Sequence, residues 1–286
     1  MERFIEIAPC SRFYVVAPHD RKTGSHFFAR RSHFYVVAPR DRKTGSPFSP
    51  GALIFTWSRR MIEKPVPTFS PGAPGAGPAE PGRDCPLCPR LVAYRAENAA
   101  AHPDWFNGPA PSFGDPDARL LIVGLAPGRM GANRTGRPFT GDYAGVLLYE
   151  TLIDLGLAVG TYQARHDDGL ALRGVMITNA VRCAPPGNRP EPAEERACRP
   201  FLQARIGQLP RLRAILTLGD VAHRNVLAAL GVKRAQAPFG HGAMAQVGDY
   251  WLTASYHCSR LNTNTGRLTA GMFADVMGAA KQAAGL

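Results

Sequence analysis

LLIVGLAPGRMGANRTGRPFTGDYAG, residues 120–145, opens as a strand and then breaks into a glycine-rich loop. Leu120 to Val123 are all apolar, the pattern of a strand buried on both faces of a parallel sheet. Glycines follow at 124, 128, 131, 136, 141 and 145. Without a Cβ they let backbone N–H groups approach a ligand closely. An apolar helical pattern then runs from Val146 to Leu155. Strand, glycine-rich loop and helix in this order place a ligand at the carboxyl ends of the strands of an α/β domain. The loop is not a nucleotide-phosphate loop: no Gly-Lys-Ser/Thr closes it, and no G-x-G-x-x-G is present. It offers instead the aromatic ring of Phe139 and, just before the helix, the lone carboxylate of Asp142. A flat ring and one base predict a pocket for a planar heterocycle; the plainer alternative is a structural turn with a core phenylalanine.

Working outward, the chain from Arg83 onward alternates strands with helices. Strands are predicted at Leu120–Gly124, Val175–Thr178, Ala214–Leu218 and Trp251–Ser255. Helices are predicted near Leu87–Ala100, Val146–Leu155, Pro192–Gly207, Val221–Leu230 and Ala270–Ala283, with Asp220 as an N-cap. This is an α/β fold with a mainly parallel sheet flanked by helices, and its site belongs in the loops after the strands.

Two of those loops carry further candidates. After the second strand come Asn179 and, in a Pro/Gly-rich turn, Asn188. A side-chain amide holds donors and an acceptor that match the edge of an amide-like ring such as uracil; the alternatives are a cap for Asn179 and an Asx turn for Asn188. After the last strand, His257 opens a polar loop with Arg260 and Arg267. A histidine there can donate a hydrogen bond to an anionic leaving group, or serve the structure only. A loop of this composition can also contact phosphates.

Cys85-Pro-Leu-Cys88 has the two-residue gap that lets two thiolates bind one centre, and Cys183 and Cys198 supply a second, wider pair. Four thiolates suit tetrahedral zinc or a [4Fe–4S] cluster. The wide gap is less like a zinc ribbon, and a centre closing such long chain loops is expected to be structural. Cys258 is expected to be a packing residue.

The amino-terminal part differs. FYVVAPHDRKTGSHF at 13–27 returns as FYVVAPRDRKTGSPF at 34–48, and residues 65–82 are dominated by Pro, Gly and Ala. Two copies are too few for a solenoid, and the second stretch has a linker's composition. Residues 1–82 are therefore expected to be a disordered tail and linker, and 83–286 the domain. The formal net charge is +12. It divides evenly, with 12 Lys/Arg against 6 Asp/Glu in residues 1–82 and 22 against 16 in the rest. A basic balance favours a polyanionic partner. No apolar run approaches the roughly 18 residues of a membrane span, and no secretory signal pattern is visible. A cytosolic protein with no membrane partner is expected.

In order, these segments resemble the uracil-DNA glycosylase superfamily, specifically its family 5, over residues 83–286. GLAPGRMGANRTGRPFTGD is similar to the family's first motif, NAVRCAPPGNRP to its central segment and HCSRLNTNTGRLT to its second motif. The resemblance implies a four-stranded parallel sheet and a [4Fe–4S] cluster on Cys85, Cys88, Cys183 and Cys198, with zinc the lesser expectation. It implies hydrolysis of the N-glycosidic bond of uracil, and of other deaminated bases such as hypoxanthine or xanthine, in DNA by a monomer. Gly124, Leu125, Ala126, Phe139, Asn179 and Asn188 would hold the base, Asp142 and His257 would act in catalysis, and Arg260, Leu261 and Arg267 would contact DNA. Family 4 carries a glutamate where this chain has Leu125, and the classical enzymes carry an aspartate near Gly128, which leaves Asp142 as the motif's only carboxylate. Two alternatives stand beside this reading: a non-catalytic iron–sulfur DNA-binding module of the same fold, and a family-4-like enzyme restricted to uracil.

Overall fold

The computed structural model describes residues 77–286 and, ahead of them, three short strands, β1 (Ile5–Glu6), β2 (Tyr14–Val16) and β3 (Tyr35–Val37). These pair antiparallel in the order β1-β2-β3, and β2 and β3 are the Tyr-Val-Val of the two sequence copies, with Tyr14 opposite Val37. The expectation of a disordered tail otherwise lies, up to residue 76, outside the described residues. The chain divides into two compact units, residues 1–65 and 66–286.

The second unit is the α/β domain. Its parallel strands are β5 (Leu120–Gly124), β8 (Val175–Asn179), β9 (Ala214–Leu218) and β11 (Tyr250–Ser255). All five residues of β5, β8 and β9 are buried, as expected of strands covered on both faces. Two antiparallel strands extend the sheet, β4 (Phe113–Gly114) beside β8 and β10 (Met244–Val247) beside β11, for a full order β10-β11-β9-β5-β8-β4. The parallel core is the predicted one; the two edge strands are additional. A separate hairpin, β6 (Ala158–Val159) with β7 (Ala171–Leu172), lies between β5 and β8 in the chain.

Alternation along the strands sorts the core into two layers. Leu120, Ile122, Val175, Ile177 and Leu216 face one side, where α3 (Tyr143–Asp154) and α7 (Ala270–Ala284) supply Leu148, Leu152, Phe273 and Met277. Leu121, Val123, Met176, Ile215 and Leu252 face the other, against Leu202 and Ile206 of α4 (Pro192–Gly207) and Val226 and Leu227 of α5 (Asp220–Ala229). Each fully buried Leu or Ile of this kind stabilises the fold by about 1.5–3 kcal/mol relative to an exposed one. Asp220 is not the N-cap of α5: Gly219, at φ 94°, holds that position, and Asp220 sits in the first turn, ion-paired with Arg234. Only glycine enters that left-handed conformation at little cost.

From β5 the chain crosses to β8 on one side and then returns to β9 on the other, so the order reverses at the carboxyl end of β5. That is where open α/β sheets place ligands.

Residues 77–82, linker-like in composition, pack on the domain. Ala79 is buried, and the Glu80 carboxylate binds the guanidinium groups of Arg182 and Arg205 at 2.9 and 2.6 Å. Arg182 is fully buried, and a buried cation of this kind needs a counter-charge. Glu80 supplies it.

Candidate active site

Three loops converge at the carboxyl end of β5. Gly124 closes that strand, and a methyl group added to it would lie 2.5 Å from both Oδ1 of Asn179, at the end of β8, and the Phe139 ring. The pairing of β5 with β8 runs one step beyond the strands, since Ala180 N–H and Val181 N–H donate to the carbonyls of Gly124 and Leu125 at 2.9 and 3.0 Å. Asn179 is buried, and its Oδ1 has no hydrogen-bond partner among the described residues. An unpaired buried acceptor costs about 1–3 kcal/mol, a cost that a bound donor removes.

Phe139 has φ 53°, a left-handed conformation that is rare for a bulky residue and costs on the order of 1–3 kcal/mol. The fold holds it there. Tyr149 donates to the Pro138 carbonyl at 2.7 Å, and Tyr162 to the Phe139 carbonyl at 3.1 Å. The first turn of α3 runs directly beneath, where a side chain on Gly145 would collide with the Phe139 carbonyl. The Phe139 ring stands 6.0 Å from that of His257, with the planes inclined by 29°.

Asp142 is the N-cap of α3 and accepts from Gly145 N–H at 3.1 Å through Oδ1. Its Oδ2 lies against the glycine loop, where a methyl group on Gly128 or Gly131 would come within 3.2 or 2.5 Å of it. Burial raises the Asp142 carboxyl above its usual range, opposed by N–H groups of Gly145 and Ala144. A carboxylate whose charged form is disfavoured in this way is a better base than a solvated one. Burial pushes His257 down to about 4, so its imidazole is neutral at pH 7 and keeps one N–H to donate. The adjacent Cys258 is fully buried in the core, a packing residue as expected; burial first and the Asp142 charge second push its thiol up to about 12. The Phe139 and His257 rings thus face each other, and Asp142 follows three residues after Phe139 at the start of α3.

The loop after His257 forms a one-turn helix, α6 (Arg260–Asn264), tied back by Asn262, which donates to the His257 carbonyl at 2.8 Å. Leu261 projects from it 72% exposed. Arg260 lies over the exposed ring of Tyr143 at 5.1 Å, and Arg267 over Tyr256 at 4.5 Å. Asn188 stands apart. It is exposed at the end of a 3-10 turn, with φ 55°, and no hydrogen bond joins its side chain to the cleft residues. Ala126 packs towards the cysteines rather than the cleft. At the start of the loop, Arg129 ties it to α1 (Pro89–Ala101) through Asn98 Oδ1 at 2.7 Å.

Residues that sequence reasoning missed lie behind Phe139. Arg137, 4% exposed, donates to both oxygens of Asp168 at 2.7 Å and, through Nε, to Thr140 Oγ1 at 2.7 Å. Its guanidinium is surrounded by the rings of Phe113, Tyr149 and Tyr162 at 5.0, 5.3 and 5.9 Å. The Arg137 side chain stood inside the motif, but its partner 31 residues on carried no periodic or compositional signal.

The four predicted cysteines gather at one cavity beside this site. Cys85 precedes α1, Cys88 is its N-cap, Cys183 follows β8 and Cys198 lies in α4; all four line the cavity. Arg95 donates to Cys183 Sγ at 3.4 Å and Arg182 N–H to Cys198 Sγ at 3.3 Å. Burial, with added repulsion from Cys183 and Cys85, pushes the Cys88 thiol up to about 11. Among the described residues no group of three or more Cys, His, Asp or Glu forms a single-ion site.

The sequence model of the uracil DNA glycosylase superfamily matches residues 111–281. The chain is 49% identical over 209 residues to the type-5 uracil-DNA glycosylase of Thermus thermophilus, covering 71% of this chain and 94% of that protein. It is 43% identical over 206 residues to the type-5 enzyme of Pyrobaculum aerophilum, covering 71% and 90%, and 42% identical over 211 residues to that of Mycobacterium tuberculosis, covering 71% and 79%.

Proposed function

The chain belongs to the type-5 family of the uracil DNA glycosylase superfamily, and from that premise we infer that it is a monofunctional DNA glycosylase that removes uracil, and with it other deaminated bases, from DNA during repair. The observation that carries the reading is the unpaired Asn179 oxygen, buried between Gly124 and the Phe139 ring. Uracil, hypoxanthine and xanthine each present a ring N–H beside a carbonyl, whereas cytosine and adenine present an unprotonated ring nitrogen there. A buried acceptor favours the first set and is left unsatisfied by the second.

Asn179 and Phe139 are buried, out of reach of a base still stacked in a duplex, so the nucleotide is extruded. The base stacks on Phe139 and gives its N–H to Asn179. Cleavage leaves the bonding electron pair on the base and positive charge on the sugar. The neutral His257 donates its N–H to the base carbonyl oxygen as negative charge grows there. Asp142 offsets the sugar's charge and takes a proton from the water that adds to the anomeric carbon. Leu261 fills the vacated stack, while Arg260 and Arg267 meet phosphates. The protein acts as a monomer.

The product is an abasic site. A lyase needs an amine to form a Schiff base with the sugar. The only lysines after residue 82 are Lys233 and Lys281, and Lys281 is bound to the Leu155 carbonyl at the end of α3, away from the cleft. Oligonucleotides carrying one uracil, hypoxanthine or xanthine test the reading. Base release is expected from each, with strand breaks only after alkali. Release of none would overturn it in favour of a DNA-binding module, and release of uracil alone would narrow it to the uracil-restricted alternative.

We propose further that Cys85, Cys88, Cys183 and Cys198 hold a [4Fe–4S] cluster. The donor set supports this: four thiols and no other ligand line a cavity, and N–H groups of Arg95 and Arg182 already point at two of the sulfurs. When bound, the cluster supplies a cross-link among α1, the loop after β8 and α4, and no redox step. Freshly purified protein should be brown, with about four irons per chain. Cys198→Ser should lose the colour and lower Tm by on the order of 10 °C, the equivalent of about 3–5 kcal/mol in a domain of this size. A colourless protein with one zinc per chain would replace this assignment.

A further inference from the structure

The hairpin β6–β7 carries two side chains that reach into the site loop. Tyr162 touches it twice, donating to the Phe139 carbonyl at 3.1 Å and accepting from Gly141 N–H at 3.3 Å. Asp168 organises its own loop, accepting N–H bonds from Gln163 and Leu170 at 3.0 and 3.1 Å, and with the same carboxylate grips Arg137. Arg137 in turn immobilises Thr140, whose backbone carbonyl is also bonded by Thr135 Oγ1 at 3.0 Å. Every residue from Arg137 to Gly141 is therefore bonded, by side chain or backbone, to this cluster or to Tyr149 behind it. This five-residue segment sets both the Phe139 ring and, one residue on, Asp142.

We propose that the Arg137–Asp168 pair and Tyr162 are positioning residues for base excision: the hairpin clamps Phe139 in its left-handed conformation so that its ring faces His257 across the cleft. The proposal rests on the glycosylase reading for its activity readout. None of the three is assigned a contact with the base or the sugar. Their effect passes through the backbone, where a displacement of about 1 Å is enough to cost on the order of 100-fold in rate. The aromatic enclosure of Arg137 shields the pair from water, so the clamp is rigid and weakly screened by salt.

Two variants separate positioning from stability. Tyr162→Phe keeps the ring against Arg137 and removes only the hydroxyl that joins Phe139 to Gly141. Arg137→Met combined with Asp168→Asn removes both charges together, leaves no buried charge unpaired, and keeps an oxygen for the loop amides. Single-turnover rate, KM and Tm are measured for each with a uracil oligonucleotide. Tyr162→Phe should lose about tenfold in rate and the double variant about 100-fold, with KM within about twofold and Tm little changed. Amide exchange at Gly141, measured without DNA, should accelerate in both. Wild-type rates in both variants, or a rate loss that disappears at an assay temperature well below Tm, would overturn the clamp. An inactive wild type would sink the glycosylase reading instead, and Gly141 exchange would then decide the clamp by itself.

Discussion

His257→Ala should lower the rate of uracil release about 100- to 1000-fold, the usual loss when one preorganised donor to a developing anion is removed. KM should change little, because the hydrogen bond strengthens only as charge accumulates on the base. The protonation state of the residue sharpens the prediction. With its pKa pushed down to about 4 by burial, the imidazole does not titrate between pH 5.5 and 8, and the variant's deficit should be constant across that range. A cationic histidine would instead give a deficit that grows as pH falls through the ordinary value near 6.5. Stability carries the matching signature. The unfolded chain takes up the proton near pH 6.5 and the native protein only near 4, so unfolded molecules bind more protons in that window and stability falls as pH falls. His257→Ala should flatten this slope.

Burial raises the Asp142 carboxyl above its ordinary value, so its loss is tested separately. Asp142→Asn keeps a side-chain oxygen for the N-cap bond to Gly145, so α3 should persist while the charge is lost. If, as proposed, Asp142 answers the sugar's positive charge and His257 the base's negative charge, the two losses should add in the double variant. Coupling well above about 0.5 kcal/mol would mean that they act on one group.

Much of this site was legible in the sequence, for physical reasons that differ from loop to loop. The strand Leu120–Gly124 announces itself because burial on both faces demands an unbroken apolar run, and the loop after it because close backbone approach demands glycine. The four cysteines were legible through the two-residue gap of Cys85 and Cys88. The edge strands were not: Phe113–Gly114 is two residues long, and Met244–Val247 is mostly exposed with only Val247 buried. Neither produces a period. Asp220 resembled an N-cap by residue type, but Gly219 at φ 94° turns the chain one residue earlier. The Arg137–Asp168 pair was illegible for a deeper reason. A charged residue inside a motif is assigned to ligand or solvent, and nothing local says that a hairpin 31 residues away folds back to bury it. Sequence patterns thus pointed to Phe139, Asp142, Asn179 and His257 and missed Arg137, Tyr162 and Asp168 behind them.

The same geometry makes Gly124 the position where the smallest change should cost most. Gly124→Ala adds one methyl group at a point 2.5 Å from both Asn179 Oδ1 and the Phe139 ring. No Cβ sits that close to other heavy atoms, so both the Phe139 ring and Asn179 have to shift. Phe139 is held by Tyr149 and Tyr162 through the backbone on either side of it, and Gly145 leaves no room beneath its carbonyl. Any shift of Asn179 displaces the buried acceptor proposed to read the base. Uracil release should fall by at least about 100-fold, with the loss in both KM and rate, since ground-state fit and alignment suffer together. Alanine is compatible with the backbone here, because Gly124 is not among the residues at positive φ. The fold should survive with the overpacking penalty of about 1–3 kcal/mol. Combining Gly124→Ala with Asn179→Ala removes the overlap with Asn179 and leaves that with the Phe139 ring, so Tm should recover in part while base release stays low. Recovery of release along with Tm would show that Asn179 does no more than fill volume, and the account of base recognition given above would fall.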